Sequence, residues 1–125
     1  MRIAVMGTGG MGGFYGGRLA SNGEDVTFIA RGAHLDAMRT NGLKLEGPNG
    51  DILISPAQAT DDPATIGAPV DVVLFCVKFY DLETAAGLIE PIVGDETLVI
   101  SLMNGVDGPE RLAGLLGKGR VLGGA

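Results

Sequence analysis

A short apolar run, Ile3-Ala4-Val5-Met6, leads into Gly7-Thr8-Gly9-Gly10-Met11-Gly12, and a helix-like pattern follows. Strand, glycine turn and helix in this order constrain the fold more than any other stretch of the chain. Gly7 permits a tight turn, Gly9 allows a phosphate to approach the backbone, and Gly12 allows the helix to pack closely on the strand. The helix start offers unpaired N–H groups and the positive end of a dipole, which suits a dinucleotide pyrophosphate. Glycine is abundant, at 22 of 125 residues, and the excess clusters in the first seventeen positions. It is therefore a local device rather than low complexity.

Further along, apolar runs and helix-like segments alternate. The pattern predicts a strand over Ile3–Met6, a helix over Gly10–Asn22 stopped by Gly23, a strand over Asp25–Ala30 and a helix over Ala33–Thr40. Leu43–Glu46 and Asp51–Ile54, joined by Gly47-Pro48-Asn49-Gly50, predict a hairpin. Asp61 to Pro69 is expected to be a loop or short helical turn, with Asp61-Asp62 solvated. Asp71–Val77 reads as a buried parallel strand, Leu82–Ile89 as a helix capped by Asp81, and Thr97–Leu102 as another strand. Asp107-Gly108-Pro109-Glu110 resembles a helix start that continues over Leu112 to Leu116, before a last strand at Arg120–Leu122. The sum is an α/β fold: a Rossmann-type, doubly wound, mainly parallel sheet with helices on both faces and a β-hairpin insertion. One domain is expected over residues 1–125.

Composition excludes several classes. A formal charge of −6 argues against nucleic-acid binding, because phosphate backbones attract basic surfaces. No apolar run approaches the length of a membrane span, and no signal peptide is evident. Cys76 is the only cysteine, so no intramolecular disulfide forms, as suits a cytoplasmic protein. It sits in Val72–Val77 and is expected to be a small core residue rather than a reactive thiol. No cysteine–histidine cluster suggests a metal. His34, the only histidine, is expected on the surface of the second helix, and Met6, Met11 and Phe14 in core or turn packing.

Ligands of open parallel sheets bind beyond the carboxyl ends of the strands. There the predicted strands place Gly7, Arg31, Lys78 and Asn104. Arg31 bears on the cofactor. An NAD-preferring domain carries an acid at the end of its second strand. Here Glu24 and Asp25 precede that strand, and its far end carries an arginine whose planar fork suits a 2′-phosphate. The blander readings are a surface arginine, a snorkelling lysine and an Asn-Gly turn.

Gly7-Thr8-Gly9-Gly10-Met11-Gly12 with Gly16, then Ala30-Arg31, Cys76-Val77-Lys78, Leu102-Met103-Asn104-Gly105-Val106 and Arg120-Val121-Leu122-Gly123-Gly124 together resemble the ketopantoate reductase (2-dehydropantoate 2-reductase) family. One departure is Gly10, where the family usually has alanine. The resemblance implies NADPH-dependent reduction of a 2-keto acid, 2-dehydropantoate to pantoate, in coenzyme A biosynthesis. It implies that Gly7, Thr8, Gly9, Gly10, Met11 and Gly12 hold the pyrophosphate and that Arg31 holds the 2′-phosphate. Lys78 and Asn104 would lie near the nicotinamide ribose and substrate. The family's proton-donating lysine and substrate-binding carboxylate lie in a helical C-terminal domain. These residues lack it, so the chain is expected to be an N-terminal cofactor domain, inactive alone and prone to associate through the surface left by its partner or as a homo-oligomer. Alternatives are the cofactor domain of a 3-hydroxyacid or polyol-phosphate dehydrogenase, or a nucleotide-sensing regulatory module.

Overall fold

The computed structural model describes residues 1–7, 11–45, 52–54, 58–67, 69–76, 82–101, 113–117 and 119–123. The described residues form strands β1 (Arg2–Met6), β2 (Asp25–Ile29), β3 (Leu43–Leu45), β4 (Ile52–Ile54), β5 (Ala59–Thr60), β6 (Val72–Phe75), β7 (Leu98–Ser101) and β8 (Arg120–Gly123). Among the described residues these are accompanied by helices α1 (Met11–Ser21), α2 (Gly32–Asn41) and α3 (Leu82–Ile89). Residues 113–116 form a further helical turn.

Six strands make one parallel sheet in the order β5-β2-β1-β6-β7-β8. Counted within that sheet the order is 3-2-1-4-5-6, the doubly wound order of dinucleotide-binding folds. The chain winds outward from β1 through β2 to β5, then returns to β6 on the other side of β1. The switch point therefore lies between β1 and β6, where Cys76 N–H donates to Met6 O at 2.8 Å.

Period-two alternation divides the apolar residues between two faces. Ala4, Met6, Ile29, Val73, Phe75 and Val99 pack with Ala85, Ala86 and Ile89 of α3. Ile3, Val5, Val26, Phe28 and Leu74 pack with Leu35 and Met38 of α2, and with Leu19 and Ala20 of α1. Hydrophobic burial on both faces is the main force holding the layers together.

Helix α1 stops where the sequence placed its stop. Gly23 has φ +91°, its N–H donates to Ala20 O, and Glu24 N–H donates to Leu19 O. This paired closure needs a left-handed residue, which glycine supplies. The hairpin is β3 with β4, antiparallel and separate from the main sheet. It lies against α1, with Ile54 packed on the α1–α2 core.

Two expectations change. Strand β5 was not foreseen, since two residues are too short for alternation to register. Phe14 is 43% exposed rather than core; its ring meets Tyr15 edge-on and lies under the Arg18 guanidinium. Asp61-Asp62 is exposed as expected, but Asp62 also caps a 3-10 turn over Pro63–Ile66, accepting from Ala64 N–H at 3.1 Å. The segment expected to start a helix at Asp107–Glu110, and the Asp81 cap, lie outside the described residues.

Candidate functional site

The carboxyl end of the sheet starts at Gly7. Its φ is +88°, a region costly for any residue with a Cβ. Gly7 N–H reaches Ile29 O at 3.5 Å, so the chain turns off β1 directly beside the end of β2. Helix α1 then starts at Met11, with no acidic residue in its first turn. An acid there would oppose an anion at the helix's positive end. Met11 and Gly12 thus occupy that first turn. Thr8, Gly9 and Gly10 lie outside the described residues.

Close packing of helix on strand is visible at Gly16. A Cβ there would sit 2.6 Å from Val5 Cγ2 and 2.9 Å from Phe28 Cε1. This glycine lets α1 lie close on β1 and β2.

Arg31 follows β2 by two positions. It is exposed and extended, at φ −143° and ψ 162°, as the residue that precedes α2. Its carbonyl accepts from Leu35 N–H at 3.4 Å. The turn into α2 is completed by Gly32 at φ +62°. Glu24 and Asp25 lie at the opposite end of β2, as expected, and are engaged there. Glu24 pairs with the Met1 ammonium at 3.3 Å, and Asp25 lies 3.9 Å from Arg2 Nε. Gln58 Nε2 donates to Asp25 Oδ1 at 2.8 Å. The acids are thus committed to closing the amino end of the sheet. A cleft of about 320 Å³ along the β2–β5 edge is lined by Arg2, Asp25, Thr27, Gln58, Thr60 and Thr65, among others. Its polar groups largely bond one another, leaving little to recognise a ligand.

Cys76 follows β6 at the switch point. It is half-buried and packs on the α1–α2 core. Burial pushes its thiol from 9.0 up to about 11. It stays protonated at neutral pH and is a poor nucleophile, in keeping with a packing role. Lys78 and Asn104 lie outside the described residues. His34 lies within α2, as expected.

Ser101, the last residue of β7, was not singled out from sequence. It is 1% exposed and its Oγ has no hydrogen-bond partner. The available signal was a hydroxyl ending the apolar run Leu98-Val99-Ile100. Among the described residues no group of three His, Cys, Asp or Glu could hold a metal ion, and no helix is long and apolar enough to cross a membrane.

A parallel sheet of order 3-2-1-4-5-6, with a glycine turn at the end of β1 and a helix N-terminus beyond it, defines a Rossmann-type α/β domain. Residues 3–125 match the family "Ketopantoate reductase PanE/ApbA", and the chain belongs to that family. It is 38% identical, over 99% of its length and 39% of the relative's, to a 2-dehydropantoate 2-reductase of Pyrococcus horikoshii. A PanE/ApbA-family ketopantoate reductase of known structure from Ralstonia eutropha JMP134 superposes with a TM-score of 0.86 at 39% identity, over 96% of this chain and 40% of that one. A D-mandelate dehydrogenase, solved with NADH and anilino(oxo)acetate, superposes at 0.78 with 25% identity, over 91% and 36%. The chain thus spans about two fifths of these proteins.

Proposed function

We propose that this chain is the NADPH-binding, N-terminal part of a reductase acting on a 2-keto acid, 2-dehydropantoate being the substrate that the family relationship favours. The carrying observation is the asymmetry of β2. Its amino end holds the acids, locked into ion pairs and hydrogen bonds, while its carboxyl end presents Arg31 in an extended, exposed conformation. A 2′-phosphate placed there would meet a guanidinium.

The residues present suit the cofactor. Gly7 at φ +88° would let the chain turn off β1 to make room for the phosphates, and the acid-free first turn of α1 would offer its N–H groups to them. Thr8 to Gly12 complete the pyrophosphate cradle in this reading. Lys78 and Asn104 would face the nicotinamide ribose and the substrate. When bound, the cofactor supplies the hydride. The alkoxide formed from a ketone needs a proton donor, which we assign to the longer protein rather than to residues 1–125. Residues 1–125 would bind and orient the cofactor.

Calorimetric titration with NADPH and NADH tests the reading. The native chain is expected to prefer NADPH, and Arg31→Ala to weaken NADPH by roughly 10- to 100-fold, as expected for a charged hydrogen bond, with NADH unchanged. Equal affinity of the native chain for both cofactors overturns the NADPH assignment.

A further inference from the structure

Strand β2 hands over to helix α2 through Arg31 and Gly32, and both sides of that joint are fixed. On the strand side Ala30 is buried, and its N–H donates to Thr60 O at 3.0 Å. On the helix side Leu35 and Met38 sit in the core that also holds Val26 and Phe28. Leu35 N–H donates to Arg31 O at 3.4 Å. Arg31, Gly32 and Ala33 are exposed.

The joint makes two local concessions. A helix usually begins behind Ser, Thr, Asp or Asn, whose side-chain oxygen takes one of the first N–H groups. Here Arg31 holds that place, and its side chain makes no capping hydrogen bond. Gly32 then opens the helix at φ +62°. Gly23, Gly42, Gly67 and Gly117 also have positive φ, but they follow helical segments. A left-handed residue is a common stop there, whereas a helix start has no such need. A Cβ on Gly32 would meet nothing within 4 Å, so crowding does not select glycine at this position. The backbone conformation does.

That conformation bears on Arg31. A residue with a Cβ favours negative φ. Turning the Gly32 N–Cα bond that way, with α2 held by its core residues, swings the peptide between residues 31 and 32 and moves Arg31 with it. We infer that Gly32 is a positioning residue for cofactor discrimination: its left-handed backbone holds Arg31 at the end of β2 in the orientation that meets a 2′-phosphate. The inference rests on the NADPH reading above and deepens it.

The test is calorimetry with NADPH and NADH, with thermal melts alongside, on the native chain, Gly32→Ala, Gly32→Asn and Gly67→Ala. Gly67 is the control. It has φ +88° and nothing within 4 Å of a Cβ, and it closes the turn whose Ile66 carbonyl accepts from Arg2. An alanine held at left-handed φ is strained enough for the native joint to be populated roughly a tenth of the time, and apparent affinity falls with that fraction. Gly32→Ala is therefore expected to weaken NADPH about tenfold and to leave NADH unchanged. Gly32→Asn is expected to regain part of the loss, because asparagine tolerates this conformation better. In an Arg31→Ala background, Gly32→Ala is expected to cause no further loss of NADPH. Gly67→Ala is expected to lower the melt and leave both affinities as they are.

Unchanged NADPH affinity of Gly32→Ala overturns the inference. An equal loss for NADPH and NADH overturns it as well, since the role is then structural. So does an asparagine variant no better than alanine, because conformation is then not what glycine supplies. A further NADPH loss in the Arg31→Ala background, or a selective NADPH loss in Gly67→Ala, also overturns it. If the native chain shows no preference for NADPH, or Arg31→Ala keeps that preference, the NADPH reading fails and takes this inference with it. If the native chain prefers NADPH through Arg31 and Gly32→Ala keeps the preference, only the role of Gly32 falls.

Discussion

Single atoms decide how close the first helix comes to the sheet. Gly16 is buried with Val5 and Phe28 against it, and both neighbours are fully buried. Neither can retreat, because the interior is close-packed. A Gly16→Ala substitution is expected to destabilise the fold by about 1–2 kcal/mol, overpacking outweighing the higher helix propensity of alanine. The melting temperature would fall by roughly 4–8 °C. A melt equal to the native one would mean that α1 is free to shift. The glycine turn made a close approach of helix and strand legible in the sequence, which assigned it to Gly12; the structure shows it at Gly16. The state of Ser101 was not, because whether a hydroxyl finds a partner depends on which strands flank it. The position of Arg31 was legible for the opposite reason: it depends only on where β2 ends.

The same division holds for elements. Strands β1, β6 and β7 announce themselves by unbroken apolar runs, since a parallel strand covered on both faces has no polar side. The hairpin and the stop at Gly23 follow from turn chemistry. Strand β5 does not show, because its two residues are placed by neighbours: Phe28 N–H donates to Gln58 O at 2.8 Å and Ala30 N–H to Thr60 O at 3.0 Å. Joints between elements are equally silent. Thr97 is 2% exposed; its hydroxyl donates to Val70 O at 2.6 Å and accepts from Gly94 N–H at 2.9 Å. It thereby ties the approach to β7 to the approach to β6. Gly119 packs against the same joint, where a Cβ would meet Thr97 O at 2.9 Å. Thr97→Val keeps the shape and leaves a donor and an acceptor buried without partners, so a loss of about 2–3 kcal/mol is expected. In urea the midpoint would fall with an unchanged slope, and Thr97→Ser would stay close to native. An unaltered midpoint for the valine variant would show that water replaces the hydroxyl.

Across the whole molecule the two edges of the sheet are finished differently. At one edge β5 is only two residues long, and the Arg39 guanidinium donates to Ala59 O through Nε at 3.3 Å and Nη2 at 3.2 Å. A short edge closed by a charged side chain resists pairing with another strand. At the other edge β8 has four residues, and Leu122 is 53% exposed beside the half-buried Ile100. The α1–α2 layer covers β1 and β2 on that face but leaves Leu122 open. Among the described strands no further one pairs with β8, and a sheet edge beside an apolar side chain invites a second strand, which a second copy of the 125-residue chain can provide. Light scattering is therefore expected to show mass increasing with concentration for the native chain. Leu122→Lys, which puts a charge on the β8 edge, is expected to return it to monomer. If the native chain stays monomeric at high concentration, the β8 edge is not a pairing surface. If the lysine variant still associates, the contact lies elsewhere, with the exposed Phe14 and Tyr15 of α1 the next apolar surface to alter.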